Sequence, residues 1–452
     1  MTTRATAAPA LARDLPVLVV GLARTGIATA RFLAGRGARV RAVDRRPAAE
    51  LGHEVEELAE IAELRLGADD LAALDGIALV VPSPGVPADA PLLAGAVARG
   101  VPIASEIELA ARHLEIPLLA VTGTNGKSTT TTLLGAMLRQ AGRRPFVGGN
   151  LGTPLVSAIG GGHDAAVVEV SSFQLEWVDR FHPTVGIFLN LTDDHLDRYP
   201  DRDGYGAAKL RMFARQTARD TAVLNGGDPW IRRHADAFRA RVLWFGAGEG
   251  AAIRDDEAAI RLRLGGGEEV YPLARVTLAG AHNRENMMAA IAAARAFGVP
   301  AARVQEALET FRGLEHRLEL VRERHGVRWV NDSKGTNAGA VVKSLESFAG
   351  NVILLAGGVG KGGDYGVLHA PVARRAKHVV LFGEARDVLA RALAGAAPIE
   401  IVDGLAAAVA AADARARSGD VVLLSPACAS FDMFRDYADR GRRFKTLVEA
   451  LP

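Results

Sequence analysis

A glycine-rich turn between an apolar strand and a helix constrains the fold of this chain more than any other feature of its sequence. Leu118–Val121 is the strand candidate, the motif TGTNGKS occupies residues 122–128, and a helix candidate runs from Ser128 to Gln140. In this arrangement the N–H groups of the turn and the dipole of the helix hold phosphate groups. A Walker loop has glycine where Val121 stands, so the motif is a variant of that loop. The order of strand, phosphate-binding turn and helix predicts an α/β domain with a parallel sheet.

A similar alternation precedes and follows this central block. Short apolar strands are separated by polar turns and Ala-rich helix candidates, which is the pattern of βαβ units. At about 150 residues per domain, the length of 452 residues also favours three domains. We therefore predict an α/β chain of three domains. The other strand candidates are residues 16–20, 39–43, 77–81, 165–170, 185–189, 329–330, 352–356, 378–382 and 420–424.

The composition excludes several classes of protein. Lys and Arg number 54 against 52 Asp and Glu, so the chain lacks the basic surface of a nucleic-acid-binding protein. Cys428 is the only cysteine, which excludes an internal disulfide and a cysteine-based zinc site. No apolar run approaches the ~20 residues that span a bilayer, and the first residues lack the apolar core of a signal peptide. We expect a cytoplasmic protein that binds neither nucleic acid nor a membrane.

Four polar residues at strand ends are candidates for phosphate and metal chemistry. In a loop of this kind, Lys127 would reach the β- and γ-phosphates and Ser128 a magnesium ion. Glu169 ends a buried strand candidate, and a carboxylate is a ligand that magnesium prefers. His195 lies among the acids of NLTDDHLD at residues 190–197, which favours a site role over a structural one. The aspartates of that motif are predicted to be solvated, or to contact the metal ligands and not the metal itself.

The turn GLARTG at residues 21–26 leaves several interpretations open. It is similar to a dinucleotide fingerprint, with Asp44 at the distance expected for an acid that binds a ribose hydroxyl. Ala23 replaces the middle glycine that lets the backbone approach a pyrophosphate, which weakens an NAD interpretation. The turn could also be purely structural, or bind a nucleotide that is not a dinucleotide, with residues 83–85 as a second loop.

Three further clusters are ambiguous by themselves. Asn283 and Asn286 lie on one side of the first turn of a predicted helix; capping could explain one of them but not both. GGVGKGG at residues 357–363 is a flexible loop or, because it contains Lys361, an anion site. Cys428 follows the last strand candidate and has no assigned base, so a buried bystander is favoured over a nucleophile.

Eight motifs in order along nearly the whole chain resemble the Mur ligase family. The resemblance implies a Rossmann-like domain for a UDP-linked substrate at 1–105, a central P-loop ATPase domain at 106–313, and a Rossmann-like domain for the incoming amino acid at 314–452. The motifs are TGTNGKS (122–128), EVSSFQLE (169–176), NLTDDHLDRY (190–199), AAKLRMF (207–213), GAHNREN (280–286), EHRLE (315–319), NDSKGTN (331–337) and LLSPACAS (423–430).

The resemblance also implies the activity. Ligases of this family use ATP to convert a carboxylate into an acyl phosphate, which an amine then attacks. EVSSFQLE and NDSKGTN favour the member that adds D-glutamate to UDP-N-acetylmuramoyl-L-alanine in the synthesis of peptidoglycan precursors. Other Mur ligases and folylpolyglutamate synthetase are the nearest alternatives. An NAD-dependent oxidoreductase and a non-catalytic nucleotide-binding module are alternatives of other classes.

The resemblance implies a monomeric enzyme whose only partners are small molecules. It also assigns residues of this sequence to each ligand. Four positions depart from the family: Ala23 and Arg24 in the first turn, Val359 where aspartate is common, and Tyr437 where phenylalanine is frequent. The UDP-linked substrate is assigned Thr25, Asp44, Ser83, Asn150 and Gln174. ATP is assigned Gly123, Thr124, Asn125, Gly126, Lys127, Ser128, Thr129, Asn283, Asn286, Arg317, Asp332 and Lys334. Two magnesium ions are assigned Ser128, Glu169, His195 and a carbamylated Lys209, and D-glutamate is assigned Thr336, Lys361, Ser430 and Tyr437. The catalytic set is Lys127, Glu169, His195 and Lys209.

Overall fold

The computed structural model of the protein describes residues 9–51, 53–68, 70–248, 250–278, 280–360 and 364–452. Three sheets with helices packed on them make up these ranges, which confirms the predicted α/β class. We found no helix in the described ranges whose length and hydropathy would allow it to pass through a bilayer.

The first sheet has four parallel strands. The strands are β1 (Pro16–Val20), β2 (Arg39–Asp44), β3 (Ala62–Leu66) and β4 (Leu79–Pro82), in the order β3-β2-β1-β4. The helices are α1 (Arg24–Gly35), α2 (His53–Glu56) and α3 (Pro91–Ala98).

The central sheet has nine strands, parallel except for two hairpins at one edge. In sequence these are β5 (Leu118–Thr122), β6 (Pro145–Gly149), β7 (Ala165–Glu169), β8 (Val185–Phe188), β9 (Thr221–Asn225), β10 (Arg241–Phe245), β11 (Ile253–Asp255), β12 (Ala259–Leu264) and β13 (Gly267–Pro272). Their order is β13-β12-β11-β10-β9-β8-β5-β7-β6, with β11, β12 and β13 antiparallel to one another in turn. The helices are α4 (Glu106–His113), α5 (Lys127–Gln140), α6 (Ser172–Leu175), α7 (Arg202–Leu210), α8 (Pro229–Arg233), α9 (Ala281–Ala296) and α10 (Ala301–Thr310).

Both faces of the central sheet are buried. Leu119 and Val121 of β5 belong to a core cluster with α5, α9 and α10, whereas Leu118 and Ala120 belong to a cluster with α4 and α7. This alternation follows from the period of two in a strand. A parallel strand that is covered on both sides is apolar throughout, which is why β5, β7 and β8 are continuous apolar runs in the sequence.

The third sheet has six strands, of which only the first is antiparallel. The strands are β14 (Glu319–Arg324), β15 (Val327–Asn331), β16 (Val352–Gly357), β17 (Ala376–Phe382), β18 (Ile399–Ile401) and β19 (Val421–Leu424). Their order is β14-β15-β19-β16-β17-β18. The helices are α11 (Ala338–Glu346), α12 (His369–Arg375), α13 (Arg386–Ala392), α14 (Leu405–Arg415) and α15 (Tyr437–Glu449).

The predicted turn at residues 21–26 is shorter in the structure, because α1 begins at Arg24 instead of residue 27. Gly26 therefore lies inside the helix and packs directly on the end of β1. A Cβ atom there would stand 1.9 Å from the carbonyl oxygen of Gly21. The tight approach of helix and strand, rather than a longer loop, is what requires this glycine.

Glu106 is a buried carboxyl where the chain passes from the first sheet to the central sheet. Its Oε1 accepts the N–H of Val156 at 2.7 Å, while Oε2 has no hydrogen-bond partner among the described residues. Burial raises the pKa of this carboxyl to about 7, although the N–H groups of Val156 and Leu155 act in the opposite direction. The protein thus holds a group that changes charge near neutral pH in its interior.

Replacing Glu106 by glutamine is expected to make the stability of the protein less sensitive to pH. The folded-state pKa is raised, so the stabilising contribution of Glu106 is fully present below 4.5 and is lost as pH rises through about 7. Glutamine keeps the acceptor for Val156 and does not titrate. When the pH is raised from 5 to 8, the free energy of unfolding of the variant relative to that of wild type should rise by about 2–3 kcal/mol. Thermal unfolding midpoints at the two pH values measure this.

The neighbouring Glu108→Gln variant is the control for this experiment. Glu108 is also buried, but its oxygens accept from the side chain of Arg112 and from the N–H groups of Asp179, Arg180 and Phe181. Its replacement should destabilise the protein at both pH values. A gap between Glu106→Gln and wild type that is the same at pH 5 and pH 8 would contradict the titration of Glu106.

Candidate active site

A polar cavity of about 190 Å³ lies at the carboxyl ends of β5, β7 and β8 and of β15 in the third sheet. Parallel strands place their following loops at one edge, so segments distant in sequence meet there. The cavity brings together most of the residues assigned to ATP and metal. Its lining consists of Thr124, Asn125, Gly126, Lys127, Ser128, Thr129, Asn150, Glu169, Asp194, His195, Arg317, Lys334, Thr336, Asn337 and Tyr437.

The loop after β5 has a backbone that requires glycine. Gly123 has a φ of 145° and Gly126 a φ of 85°, and α5 begins directly after Gly126. A Cβ atom on Gly126 would also lie 2.1 Å from the Oδ1 of Asn286. The loop is therefore a tight turn whose N–H groups precede a helix of 14 residues, which is the geometry of an anion site.

Asn190 holds this loop from the end of β8. Its Oδ1 accepts the N–H of Asn125 at 2.8 Å, and its Nδ2 donates to the carbonyl oxygen of Asn125 at 3.1 Å. Asn190 was not singled out in the sequence, although it opens the NLTDDHLD motif. Its position at a strand end was the only signal that could have identified it.

Lys127 lies folded against the loop. Its Nζ donates to the carbonyl oxygens of Gly123 at 2.9 Å and Thr124 at 2.8 Å. The ammonium is thus held at the rim of the turn in which phosphates would bind, and Lys127 is part of the cavity lining. This placement fits the predicted phosphate contact.

Ser128 and Glu169 form a hydroxyl–carboxylate pair on the cavity wall. The Oγ of Ser128 donates to Oε2 of Glu169 at 2.5 Å, and the Nδ2 of Asn150 donates to Oε1 at 2.7 Å. Glu169 is only 3% exposed. Hydroxyl and carboxylate oxygens are the hard donors that magnesium prefers, so this pair fits one magnesium ion.

Lys209 lies next to the loop but not on the cavity wall. It is 1% exposed, its Nζ donates to the carbonyl oxygen of Gly123 at 3.1 Å, and it lies 4.3 Å from the ring centre of Tyr205. Burial, and secondly the positive charge of Lys127, hold the pKa of Lys209 well below its ordinary value, against the opposing effect of Asp194 and Glu169. The amine is therefore biased toward its neutral, nucleophilic form.

His195 and Asp194 form the side of the cavity after β8. His195 adopts a left-handed backbone conformation with a φ of 57°. Its ring packs edge-on against the ring of Phe173, with 4.6 Å between the two ring centres. Asp194 is buried, and its Oδ2 lies 3.7 Å from Nε2 of His195. Asn337 donates to the same oxygen at 2.9 Å, which connects the third sheet to the central one. Asn337 was not singled out in the sequence; it closes the NDSKGTN motif.

Lys334 and Tyr437 supply the wall that belongs to the third sheet. The Nζ of Lys334 donates to the hydroxyl of Tyr437 at 3.0 Å and lies 4.3 Å from the centre of its ring. The hydroxyl of Tyr437 thus holds Lys334. The carbonyl oxygen of Lys334 accepts the N–H of Thr336 at 2.9 Å, which keeps that residue on the same wall.

Asp332 orients Arg317 from below the cavity. It is fully buried, its Oδ1 accepts from Arg317 at 3.3 Å, and its Oδ2 accepts the hydroxyls of Ser344 at 2.6 Å and Ser425 at 2.7 Å. Arg317 reaches the cavity and Asp332 does not. The structure therefore places Asp332 where it can position a ligand-binding arginine.

Asn283 and Asn286 lie behind the loop after β5 and not on the cavity wall. Nδ2 of Asn286 donates to Oδ1 of Asn283 at 3.3 Å, and Oδ1 of Asn286 accepts the hydroxyl of Thr130 at 3.4 Å. The N-cap of α9 is Gly280, without a side-chain cap. Neither asparagine is therefore the N-cap residue of α9.

A second cavity, of about 410 Å³, lies at the edge of the first sheet and shares Asn150 with the polar cavity. Thr25, Asp44 and Ser83 line it. Burial acts to raise the pKa of Asp44, but hydrogen bonds from Arg46 and from the N–H of Leu22 lower it to about 2. Asp44 is therefore a fixed anion at the end of β2. Four of the five residues assigned to the UDP-linked substrate meet at this cavity.

Gln174, the fifth, is placed elsewhere. Its side chain completes a capping box with Ser171 at the start of α6, its Oε1 accepting the N–H of that residue at 3.0 Å. It lines a small cavity together with Ser83. A capping box is a local device that the spacing of Ser171 and Gln174 could have indicated.

The residues assigned to the amino acid are described in part. Thr336 and Tyr437 line the polar cavity, Ser430 is buried and is not part of that lining, and Lys361 lies outside the described residues. Val359 forms two backbone hydrogen bonds of 2.9 Å with Ala429, which tie its loop to the segment after β19. Cys428 is fully buried, its Sγ 3.3 Å from the Tyr365 hydroxyl, as expected of a bystander.

Three family profiles match the chain in order. They are the Mur ligase MurD-like N-terminal domain over residues 16–105, the Mur ligase middle domain over residues 121–294, and the Mur ligase glutamate ligase domain over residues 316–428.

Curated relatives match over nearly the whole length. A UDP-N-acetylmuramoylalanine--D-glutamate ligase of Geotalea uraniireducens is 48% identical over 440 residues, which are 96% of this chain and 97% of that protein. An enzyme of the same name from Anaeromyxobacter dehalogenans is 47% identical over 458 residues, 98% and 99% of the two chains.

Solved structures show the same fold at low identity. The UDP-N-acetylmuramate-alanine ligase of Thermotoga maritima has a TM-score of 0.59 and 20% identity over 96% of this chain and 99% of that one. A pseudomurein peptide ligase type C from Methanothermus fervidus has a TM-score of 0.61 and 17% identity over 96% and 99%.

Proposed function

Since this chain belongs to the Mur ligase family, we propose that it joins D-glutamate to the alanine carboxylate of UDP-N-acetylmuramoyl-L-alanine with cleavage of ATP. The observation that carries this proposal is the meeting of three groups in one cavity. These are the glycine-rich loop with Lys127, the Ser128–Glu169 pair, and Lys334 with Tyr437 of the third sheet. The enzyme acts on small molecules, as a monomer in the cytoplasm, in the synthesis of peptidoglycan precursors.

The chemistry explains why one cavity needs cations on both sides. A carboxylate oxygen of the alanine attacks the γ-phosphorus of ATP, the bond to the bridging oxygen breaks, and ADP leaves. The amine of D-glutamate then attacks the acyl carbon, phosphate leaves with the bonding electrons, and the amine loses a proton. Phosphoryl transfer depends mainly on positioning and on neutralising charge. Lys127, Arg317 and Lys334 place that positive charge around the cavity.

Magnesium fits the Ser128–Glu169 pair on the cavity wall, which would hold one ion. A second ion would be held by His195, also on the wall, together with a modified Lys209, which is buried beside the glycine-rich loop. When bound, magnesium neutralises phosphate charge and polarises the oxygens that react. Asp194 and Asn150 remain to orient these ligands through the contacts that they make in the structure.

Lys209 can contribute a metal ligand only after modification. An ammonium has three donors and no lone pair, so it cannot bind magnesium. The neutral amine reacts with carbon dioxide to form a carbamate, with loss of one proton, and the product carries carboxylate-like oxygens. The complete burial of Lys209 and the lowered pKa of its amine support this modification.

In this proposal, the uridine diphosphate of one substrate and the incoming D-glutamate occupy different parts of the protein. The uridine diphosphate lies in the larger cavity with Thr25, Asp44 and Ser83, and Asn150 stands where that cavity adjoins the polar one. D-Glutamate lies on the side of Thr336 and Tyr437. A dinucleotide in the larger cavity is the alternative, but it leaves the polar cavity and its loop without a role.

The function is tested by measuring phosphate release with purified UDP-N-acetylmuramoyl-L-alanine, ATP and magnesium while the amino acid is varied. Phosphate release is expected only when D-glutamate is present, and NADH should not be oxidised. Equal turnover with L-glutamate or with a diamino acid would contradict the proposed substrate. ATP cleavage without any amino-acid dependence would contradict the ligase activity itself.

A further inference from the structure

Arg440 is a fully buried arginine in the first turn of α15, and it contacts three loops of the third sheet. Its Nε donates to the hydroxyl of Ser333 at 3.0 Å and its Nη2 to the carbonyl oxygen of Ser333 at 2.9 Å. Its Nη atoms also donate to the carbonyl oxygens of Cys428 at 3.3 Å and of Gly357 and Ala429 at 3.4 Å. One side chain thus satisfies backbone groups of three separate segments.

These segments follow the three neighbouring strands β15, β19 and β16. Ser333 directly precedes Lys334, Ala429 directly precedes Ser430, and Gly357 is the last residue of β16. Lys334 is assigned to the nucleotide and Ser430 to the incoming amino acid. The guanidinium therefore lies at the point where the spacing of those segments is determined.

The setting of Arg440 is unusual because no carboxylate pairs with it within the described part of the chain; its partners are carbonyl and hydroxyl oxygens. Burial lowers the pKa of Arg440 to about 10, so the group remains charged at neutral pH. Burial of an unpaired charge is costly, and hydrogen bonds offset the cost only when most of its donors are used. Here the planar fork of five donors meets oxygens in different directions, which a lysine with three donors on one atom cannot reproduce.

The same residue reaches the cavity through the start of α15. Tyr437 lies three residues before Arg440, on the same side of the helix, and its carbonyl oxygen accepts the Ser333 hydroxyl at 2.7 Å. The Tyr437 hydroxyl in turn holds Lys334. Without the guanidinium, Ser333 would lose the hydrogen bonds that fix its position. Lys334 and Tyr437, which form the third-sheet wall of the cavity, would then be less well positioned.

We propose that Arg440 is a positioning residue for the amino-acid half of the reaction. It touches no substrate; it fixes the spacing between the segments that carry Lys334, Tyr437 and Ser430. The inference rests on the proposed function, since it assigns the third-sheet side of the cavity to the incoming amino acid. A misplacement of about 1 Å in such groups can reduce the reaction by up to ~10²-fold.

The test compares Arg440→Lys with wild type in the phosphate-release assay. The KM for D-glutamate is expected to rise and kcat to fall, with kcat/KM for the amino acid lower by about 10–10²-fold. The KM for the UDP-linked substrate should stay within about twofold of wild type, because its cavity shares no residue with these three segments. A purely structural role would lower the unfolding temperature without this selective change.

Arg322→Lys is the matched control in the same domain. Arg322 likewise donates to backbone carbonyl oxygens, those of Val448, Glu449 and Leu451, but at the far end of α15. Its replacement should remove hydrogen bonds of the same kind while the KM for D-glutamate stays unchanged. An identical effect of the two substitutions on KM, or a folded Arg440→Lys protein with unchanged kinetics, would overturn the proposal.

Ser333→Ala provides the test if Arg440→Lys does not fold. It removes one acceptor of Arg440 and the contact to Tyr437, so a rise of a few-fold in KM for the amino acid is expected. Unchanged kinetics would overturn the proposal. If wild type uses another amino acid, the substrate assignment fails, and the same comparison with that amino acid still tests Arg440. If wild type uses none, both proposals fall.

Discussion

Replacing Lys127 by alanine is expected to lower the rate of phosphate release by about 10²–10³-fold, the usual cost of removing one preorganised charge from a transition state. The ammonium lies at the rim of the glycine-rich loop, where its Nζ donates to the carbonyl oxygens of Gly123 and Thr124. Its side chain contributes to none of the hydrophobic core clusters of the central sheet. We therefore expect the variant to fold, with an unfolding temperature close to that of wild type.

Initial rates of phosphate release at saturating substrates measure this effect, with Lys377→Ala as the control. Lys377 forms an ion pair with Asp420, just before β19, so its replacement removes a lysine and an ion pair away from the cavity. The control should retain its rate. A folded Lys127→Ala protein with a rate near that of wild type would contradict the assignment of the loop to ATP phosphates.

Replacing Lys209 by either alanine or arginine is expected to reduce the rate of phosphate release at least as strongly as Lys127→Ala does. The residue is buried beside Gly123, and its amine is biased toward the neutral form that reacts with carbon dioxide. Alanine removes the proposed carbamate. Arginine retains a positive charge but offers no oxygen to a metal, and it would place a permanent cation beside Lys127. If the carbamate is what the site needs, the two variants should fail alike.

Short carboxylic acids make this test specific. Acetate or formate should partly restore Lys209→Ala, because a small carboxylate can enter the space vacated by the side chain and supply the missing oxygens. The same acids should not restore Lys127→Ala, which lacks a cation. An active Lys209→Arg protein would mean that positive charge was sufficient at this position, and the carbamate proposal would be wrong.

The amino-acid sequence alone was sufficient for the local parts of the site. The strand, turn and helix around TGTNGKS were predicted almost to the residue, because hydrogen bonding within a turn and the periodicity of its flanks are short-range properties. The α/β class and the buried strands β7 and β8 followed from the same signals. The hairpins that join β11, β12 and β13 were not predicted, because these strands are short and contain charged residues, so they lack a continuous apolar run.

The tertiary structure decided which distant residues meet. The loop after β15 of the third sheet meets the loop after β8 of the central sheet, where Asn337 bonds to Asp194, and α9 places Asn286 against Gly126. It also showed that Gln174 completes a helix cap with Ser171. Such pairings depend on how helices connect and cover parallel strands, which involves contacts across more than a hundred residues and leaves no periodic trace in the sequence. The burial of Arg440 among three loops follows from the same long-range packing, so no local pattern could have separated it from the chain's other arginines.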